Sequence, residues 1–195
     1  MVITPRILLN AYCQGIFPMA DADDEQIYWY DPDPRAVLPL DDKFHVSRRL
    51  QRTIRRGNFD IRVDTQFRQV MRLCAEPSPE RERTWISDEI IQLYYSLHKS
   101  GYAHSVETWQ DGELVGGLYG VSVGGLFAGE SMFSRVTDGS KVALVYLVEH
   151  LRAKGFVLLD IQFMTSHLKR FGAMNIPRLK YHQRLADALT KDITF

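Results

Sequence analysis

The chain has 195 residues, with 24 basic and 24 acidic side chains, so its global charge favours neither a polyanionic nor a polycationic partner. Its length suits one medium domain with a small appendage, and its composition is that of a soluble globular protein. No apolar run reaches the about 18–20 residues that cross a bilayer, and the first residues lack the plan of a signal peptide. The 2 cysteines and 6 histidines show neither a disulfide framework nor a metal-ligand spacing. We therefore expect a cytoplasmic protein without a bound metal and without a membrane partner.

Residues 1–33 form a segment unlike the rest of the chain and too short for an independent core. We expect this segment to be a small N-terminal domain packed on a main body of residues 34–195. Within it, Leu8 and Tyr12 indicate a short amphipathic helix that ends near Gly15.

A basic helix is predicted from Ser47 to Arg56, with Ser47 as its N-cap and with Leu50 and Ile54 facing inward. Its outward face carries the basic residues Arg48, Arg49, Arg52, Arg55 and Arg56. This face is either an ordinary solvated helix surface or a phosphate-binding patch in an otherwise neutral protein, and both interpretations remain open.

The flanking segments indicate a mixture of strands and helices. Strands are predicted at residues 35–40, 59–63 and 102–109, and helices at 67–75 and 87–100. Trp85 precedes the second of these helices, where its side chain either packs in the core or forms a wall of a site.

A hairpin is predicted from Glu113 to Arg135, with its turn at Gly124-Gly125. If its second strand alternates regularly, one face carries Leu126, Ala128, Glu130 and Met132. Glu130 then interrupts an apolar segment, where a carboxylate is costly unless it is paired, hydrated or used. It is therefore either a strand-edge residue in water or a functional group.

The C-terminal part continues with a long helix over 141–154, which Asp138 and Ser140 could cap, and a strand over 156–162. A short helix ending near residue 172 and a helix from about 179 follow. Three meandering strands, a long helix and a parallel strand are the core order of an N-acetyltransferase-like α/β fold.

Asp160 and Gln162 lie two apart near the end of the last strand, where ligands of open α/β sheets bind. They form a candidate pair for handling a proton or fixing an amine, unless the strand end simply reaches solvent.

The loop before the long helix argues against coenzyme A as the acyl donor. Acetyltransferases place a glycine-rich loop there, whose backbone amides bind the pyrophosphate. Residues 134–141 contain one glycine, and Asp138 lies where the phosphates would bind. We expect the scaffold to use another acyl donor.

Motifs along nearly the whole chain resemble one family, the bacterial leucyl/phenylalanyl-tRNA–protein transferases. The resemblance rests on GIFP from Gly15, PDPRAV from Pro32, FHVSR from Phe44, TWI from Thr84, GYAHSVE from Gly101, LVGGLYGV from Leu114, GESMFSR from Gly129, SK from Ser140, LDIQ from Leu159 and FGA from Phe171. Together these motifs are highly specific, although no single one would be.

The resemblance implies an aminoacyltransferase with an α/β (α+β) architecture, a small N-terminal domain on an N-acetyltransferase-like (GNAT-like) domain. Such enzymes move Leu or Phe, and weakly Met, from tRNA to the α-amino group of proteins that begin with Arg or Lys. The product enters an N-terminal degradation pathway. The resemblance further implies no cofactor, and we expect a monomer.

The resemblance also assigns roles to residues. Asp160 would polarise Gln162 or the incoming amine, while Glu130 would hold an amine or the basic side chain of the acceptor. An apolar pocket for Leu or Phe would be lined by Leu118, Phe127 and Met132. The other substrate-binding residues would be Trp85, stacked near the terminal adenosine, Ser134, and the helix residues Arg48, Arg49 and Arg52 on the acceptor stem.

Two other classes compete with this interpretation. A coenzyme A-dependent N-acetyltransferase would need the pyrophosphate loop that residues 134–141 lack. A non-catalytic tRNA-binding protein would keep the arginines but would not need Glu130, Asp160 and Gln162 together.

Overall fold

The architecture is a mixed α/β sheet covered on both faces, seen in a computed structural model that describes residues 3–20, 26–77 and 84–195. The helices are α1 (Pro5–Cys13), α2 (Arg48–Arg55), α3 (Phe67–Ala75), α4 (Asp88–Lys99), α5 (Gly139–Lys154), α6 (Ser166–Lys169) and α7 (Arg178–Leu189). The strands are β1 (Phe17–Ala20), β2 (Ile27–Tyr30), β3 (Arg35–Leu38), β4 (Asp60–Val63), β5 (Ala103–Gln110), β6 (Glu113–Val123), β7 (Leu126–Ser134), β8 (Leu158–Gln162) and β9 (Met174–Ile176). Among the described helices, none is both long and apolar enough to span a membrane.

The main sheet has seven strands in the order β4-β5-β6-β7-β8-β3-β9. Strands β5, β6 and β7 form an antiparallel meander, and β8 adds parallel to β7 after the crossover helix α5. This is the predicted N-acetyltransferase-like order, so the expected fold class is confirmed. The parallel pairing follows from the helical crossover, which returns the chain in the same direction.

Sequence patterns located most elements within a few residues. The predicted hairpin turns at Gly124, which has φ +53, and Ser47 caps α2 by accepting a hydrogen bond from the Leu50 backbone N–H. The β1–β2 hairpin and the short strand β9 were not predicted, because their few residues carry too little periodicity to reveal a strand. The expectation that the Asp138 side chain caps the long helix is wrong. Asp138 directly precedes α5 with φ 70, but its side chain makes no capping hydrogen bond.

The two faces of the sheet bury different cores. On one face, α1, α3 and α4 pack with the sheet residues Tyr119, Val121 and Ala128, and Leu8, Tyr12 and Phe17 of the N-terminal segment belong to this cluster. Helix α7 covers the far end of the same face with Tyr181 and Leu185. The opposite face is covered by α5 and α2. Side chains of the N-terminal segment thus pack into the core of the main body, although the boundary at residue 33 stays a prediction.

Candidate active site

A large cavity opens between β7, the end of β8 and the elements around them. Its volume is about 710 Å³, within the range of about 300–1,000 Å³ typical of small-molecule sites. Its polar lining includes Glu130 and Gln162, and its rim includes Trp85 and Arg135. These walls come from β6, β7, β8, α3, α5, α6 and the segment before α4.

A β-bulge aims Glu130 at this cavity. In the β6–β7 ladder Tyr119 pairs with Ser131 and Gly120 with Gly129, so Glu130 is the extra residue without a ladder partner. The bulge also reverses the alternation of side chains along the strand. Ala128 belongs to the core on one face and Met132 to the core on the other, so the expectation that they share a face with Glu130 is wrong.

Three side chains donate hydrogen bonds to the Glu130 carboxylate. The Tyr12 hydroxyl donates to Oε1 at 2.6 Å, and Nε2 of Gln162 donates to the same oxygen at 2.9 Å. The Tyr94 hydroxyl lies 3.3 Å from Oε2 and 2.5 Å from the Tyr12 hydroxyl. Elements distant in sequence, α1, α4, β7 and β8, therefore converge on one carboxylate.

The surroundings of Glu130 make it a titratable group at neutral pH. Burial raises its pKa to about 7, an effect that the Tyr12 hydrogen bond opposes and that the negative charge of Asp160 adds to. Burial and the adjacent Glu130 charge raise the pKa of both Tyr12 and Tyr94 well above the ordinary value for a phenol. Both phenols therefore remain protonated donors, while Glu130 can exchange a proton near neutral pH.

Asp160 lies behind the cavity in a buried ion pair with Arg35. The guanidinium donates from Nε to Oδ1 at 2.9 Å and from Nη2 to Oδ2 at 2.6 Å, and the two side chains are each 1 % exposed. The Tyr181 hydroxyl donates to Oδ2 at 2.8 Å, and the backbone N–H of Gln162 donates to Oδ1 at 2.8 Å. Four donors thus surround this carboxylate, and Asp160 does not line the cavity. Of the two roles expected for Asp160, this arrangement contains the contact with Gln162 and does not place Asp160 where an incoming amine would meet it.

Arg35 is held by more than its ion pair. Its guanidinium lies between the rings of Phe17 and Tyr181, at 4.7 and 4.3 Å from their centroids, and Nη1 donates to the Gly15 carbonyl oxygen at 2.9 Å. Burial alone would lower its pKa, but hydrogen bonding to Asp160 and the charge of that residue raise it. The N-terminal segment therefore helps to fix a charge at the end of β8.

Asp160 acts on the backbone of Gln162. Gln162 has φ 62, a left-handed conformation that is unusual for a residue other than glycine. The hydrogen bond from its N–H to Asp160 holds this conformation, and the side chain then reaches Glu130. Because Nε2 donates to Glu130, the Oε1 atom of Gln162 is the amide oxygen that an incoming N–H group could meet.

An apolar wall faces these polar groups. Leu118 and Met132 line the cavity, and the apolar wall also includes Leu144, Leu147, Leu159, Ile161 and Leu168. Phe127, the third expected pocket residue, does not line it. Its side chain is fully buried and packs against Phe195, with ring centroids 5.3 Å apart. The bulge explains the difference, because Phe127 lies deep in the sheet before it and Met132 lies at the cavity after it.

Trp85 and Ser134 lie at the rim of the cavity. Trp85 is half-buried and lies shortly before α4. The Ser134 hydroxyl donates to the Val136 carbonyl oxygen at 2.8 Å and accepts the Ser140 backbone N–H at 3.1 Å. Ser134 therefore caps the first turn of α5 as well as lining the cavity.

The basic face of α2 lies outside the cavity. Arg48, Arg49 and Arg52 are exposed, and none of them lines the cavity wall. Arg49 pairs with Asp138 at 2.7 Å, and Lys141 pairs with the same carboxylate at 2.9 Å. Asp138 thereby links the basic helix to the first turn of α5.

The sequence analysis gave no role to four residues of this centre, Tyr12, Arg35, Tyr94 and Tyr181. Helices were predicted where Tyr12 and Tyr94 lie, but the convergence of their hydroxyl groups on Glu130 was not. Arg35 could have been recognised as a residue of this centre, because it is a charged residue at the start of an apolar strand, and every residue of that strand is buried. A charged residue in such a strand requires a buried counter-charge.

Known proteins that share one name are similar to this chain along nearly its whole length. A leucyl/phenylalanyl-tRNA--protein transferase of Herpetosiphon aurantiacus is 61% identical over 99% of this chain and 98% of its own. Proteins of the same name from Gloeobacter violaceus and Paramagnetospirillum magneticum are each 56% identical, over 100% and 99% of this chain and over 98% and 92% of their own. Among solved structures, L-PGS from Bacillus licheniformis gives a distant likeness, with 14% identity, a TM-score of 0.43 and coverage of 84% of this chain and 55% of that one.

Two family models match the chain as well. The model described as leucyl/phenylalanyl-tRNA protein transferase matches residues 37–186, and the model of the N-terminal domain of the same transferase matches residues 1–33. With its carboxylate, amide and apolar wall around one cavity, the chain is an aminoacyltransferase that belongs to the leucyl/phenylalanyl-tRNA protein transferase family.

Proposed function

We propose that this enzyme transfers Leu or Phe, and weakly Met, from the 3′ end of aminoacyl-tRNA to the α-amino group of proteins that begin with Arg or Lys. The product is marked for N-terminal-degron proteolysis in the cytoplasm, and the enzyme acts as a monomer without a cofactor. One observation carries the proposal: the hydrogen-bonded pair of Glu130 and Gln162 lies in the same cavity as a long apolar wall. An aminoacyl ester with an apolar side chain and an incoming amine would need these two surfaces side by side.

The apolar wall supports selection of Leu or Phe. Leu118 and Met132 come from the sheet, and Leu144 and Leu147 come from successive turns of α5. The unbranched thioether of Met132 adapts its shape, so one pocket can accept both side chains. A Val side chain is shorter than Leu, and one methylene in such a pocket is worth about 1–3 kcal/mol. Discrimination against Val should therefore be about 10- to 200-fold.

The rim and the basic helix support a tRNA donor. Trp85 offers a ring on which the terminal adenine can stack, a contact worth about 1–3 kcal/mol. Arg48, Arg49 and Arg52 on α2 would hold phosphates of the acceptor stem, which positions the tRNA without reading its sequence.

The reaction is aminolysis of an ester. The neutral α-amine attacks the carbonyl carbon of the aminoacyl-adenosine, a C–N bond forms, and the bond from that carbon to the ribose oxygen breaks. The amine loses one proton, and the departing ribose oxygen gains one. The enzyme must therefore hold two substrates together and manage a single proton.

Glu130 and Gln162 are suited to the amine side of this reaction. Oε1 of Gln162 can accept an amine N–H, because Nε2 already donates to Glu130. With a pKa of about 7, the Glu130 carboxylate can take the proton of an ammonium group at neutral pH and return it to the leaving oxygen. Its negative charge also suits an acceptor with a basic first residue. Asp160 acts behind them as a positioning residue, since it holds the Gln162 backbone from outside the cavity.

The geometry at α5 disfavours the coenzyme A alternative. Asp138 is 5 % exposed and lies at the N-terminus of this helix, where pyrophosphate would bind. The Ser134 hydroxyl already accepts the Ser140 backbone N–H. A pyrophosphate would therefore meet a carboxylate and lose an amide donor at this helix end.

The decisive experiment follows transfer of radiolabelled Phe from Phe-tRNA to a peptide that begins with Arg, beside the same peptide beginning with Ala. We expect transfer to the Arg peptide alone, also with Leu-tRNA, and far less with Val-tRNA. No transfer from either Phe-tRNA or Leu-tRNA to the Arg peptide would overturn the proposed function. Equal transfer to both peptides would overturn the acceptor rule.

A further inference from the structure

One arginine at the cavity is not explained by the chemistry above. Arg135 follows directly after β7 and lines the cavity mouth together with Trp85 and Glu76. Its Nη2 donates to both carboxylate oxygens of Glu76, at 2.9 and 3.1 Å. Its side chain is 51% exposed and that of Glu76 is 54% exposed, so solvent and a large ligand can both reach the pair.

A pair of this kind exchanges partners at little cost. Exposed ion pairs contribute about 0–1 kcal/mol, because water screens them and the side chains lose conformational freedom. Arginine can bind the oxygens of a phosphate through two nitrogen atoms at once, whereas only Nη2 of Arg135 now donates to the carboxylate. Glu76 therefore keeps the guanidinium extended over the mouth without holding it tightly.

Arg135 lies in a segment that is linked to the basic residues around Asp138. Arg49 of α2 and Lys141 of α5 share the Asp138 carboxylate. One residue before Lys141, the Ser140 N–H bonds to Ser134, and Arg135 is the next residue along the chain. The segment that carries Arg135 is thus connected to the first turn of α5, where Lys141 and Arg49 meet Asp138, and Arg135 shares the lining of the cavity with Trp85.

An arginine at this point suits the donor rather than the acceptor. An acceptor with a basic first residue would be repelled by a guanidinium, whereas RNA carries one negative charge per nucleotide. A strand whose stem lies on α2 and whose last base stacks on Trp85 must pass the cavity mouth with its final phosphates.

We propose that Arg135 binds a phosphate of the single-stranded 3′ end of the donor tRNA, exchanging the Glu76 carboxylate for the phosphate. This inference rests on the proposed function, because it takes aminoacyl-tRNA as the donor. It adds a binding residue at the cavity mouth that is separate from the acceptor-stem contacts of α2. Glu76 acts as a counter-charge that lowers donor affinity and keeps Arg135 in place between turnovers.

The test compares three donors: Phe-tRNA, a phenylalanylated CCA trinucleotide, and phenylalanyl-adenosine, which has no phosphate. Arg135→Gln should raise KM about tenfold for the first two donors, as expected for loss of one hydrogen-bonded charge, and leave KM for phenylalanyl-adenosine within twofold. Arg135→Lys keeps the positive charge but loses the planar guanidinium with its two parallel donors, so it should give an intermediate KM. Glu76→Gln should lower KM for the two phosphate-bearing donors.

Lys191→Gln is the matched control, since it removes one cation from an exposed pair with Asp187 at the end of α7. It should leave all three KM values unchanged. If Arg135→Gln raised KM equally for all three donors, or for none of them, the phosphate assignment would be overturned. Transfer by the wild-type enzyme in the same experiment would still support the proposed function. Failure of the wild-type enzyme with every donor would instead overturn the proposed function itself.

Discussion

The ion pair of Arg35 and Asp160 allows the sharpest test of how this site is built. Replacing Arg35 by Met keeps an unbranched side chain between the Phe17 and Tyr181 rings but removes the guanidinium. Asp160 then remains at 0 % exposure, with only Tyr181 and the Gln162 backbone as donors. Both the stability of the protein and the conformation of Gln162 should respond.

The expected cost follows from burial. Removing one partner of a buried pair costs about 3–5 kcal/mol, because the remaining charge is neither hydrated nor neutralised. Proteins of this class have unfolding free energies of about 5–15 kcal/mol, so the Met variant should fold but with little reserve. At this chain length about 2–4 °C of Tm accompany each kcal/mol, which predicts a drop of about 6–20 °C.

Urea unfolding and a double-mutant cycle measure this cost. Arg35→Met combined with Asp160→Asn should lose less stability than the sum of the two single variants, since the double variant leaves no unpaired charge. Arg178→Met is the control, because Arg178 pairs with Asp31 from a half-exposed side chain and should change stability by about 1 kcal/mol or less. A loss below about 1 kcal/mol for Arg35→Met, or strict additivity in the cycle, would refute the argument.

The same variants separate positioning from substrate binding. Arg35→Lys keeps the positive charge but not the two parallel hydrogen bonds, so it should retain more stability than the Met variant. Both variants should lower kcat with little change in the donor KM, because Asp160 holds Gln162 and lies outside the cavity. A rise in donor KM with unchanged kcat would contradict a positioning role.

Five further predictions concern the cavity and its surroundings. Wild-type activity should rise with pH through about 7 as Glu130 ionises, and Glu130→Gln should remove this limb from the pH profile of kcat/KM. The stability of the folded state should change in the opposite sense. Burial raises the pKa of Glu130 from 4.5 to about 7, so the folded state loses stability as pH rises across this window. Glu130→Gln should abolish this loss in unfolding experiments. Tyr12→Phe removes a hydrogen bond that lowers the pKa of Glu130, so the activity limb should move to higher pH; a shift to lower pH would contradict the network. Replacing Arg48 and Arg52 together by Gln should weaken binding of all tRNAs alike and reduce the slope of log K against log salt by about 2 × 0.9, and an unchanged slope would exclude α2 from the interface. Trp85→Leu should raise the donor KM about tenfold while Trp85→Phe largely preserves it, and equal effects would argue against stacking.

Local sequence signals located the elements well where a short-range pattern sets the structure. Gly124 reaches the positive φ that the hairpin needs, and Ser47 supplies the cap that begins α2. The spacing of apolar residues likewise predicted helices where α3 and α4 lie. The same reasoning failed within β7, because one inserted residue reverses the alternation and no local signal marks a bulge at Glu130.

The chemical centre depended on contacts between distant parts of the chain. Tyr12 and Glu130 are separated by 118 positions and Arg35 and Asp160 by 125, so no sequence spacing could relate them. Residue type still restricted the possibilities, since a charged residue in a buried strand requires a counter-charge. Which residue supplies it depends on the order of strands in the sheet, where β3 lies beside β8.

By itself, the sequence determined the fold class, the candidate residues Glu130, Asp160 and Gln162, and the basic face of α2, because each rests on a local pattern or on a set of motifs. Only the tertiary structure decided which of these residues face the cavity. It places Glu130 and Gln162 there and Asp160 behind them, since the bulge and the pairing with Arg35 are set by strand register and by burial of charge. Those two properties arise when the whole sheet assembles, and they set which side chains face the cavity and which lie behind it.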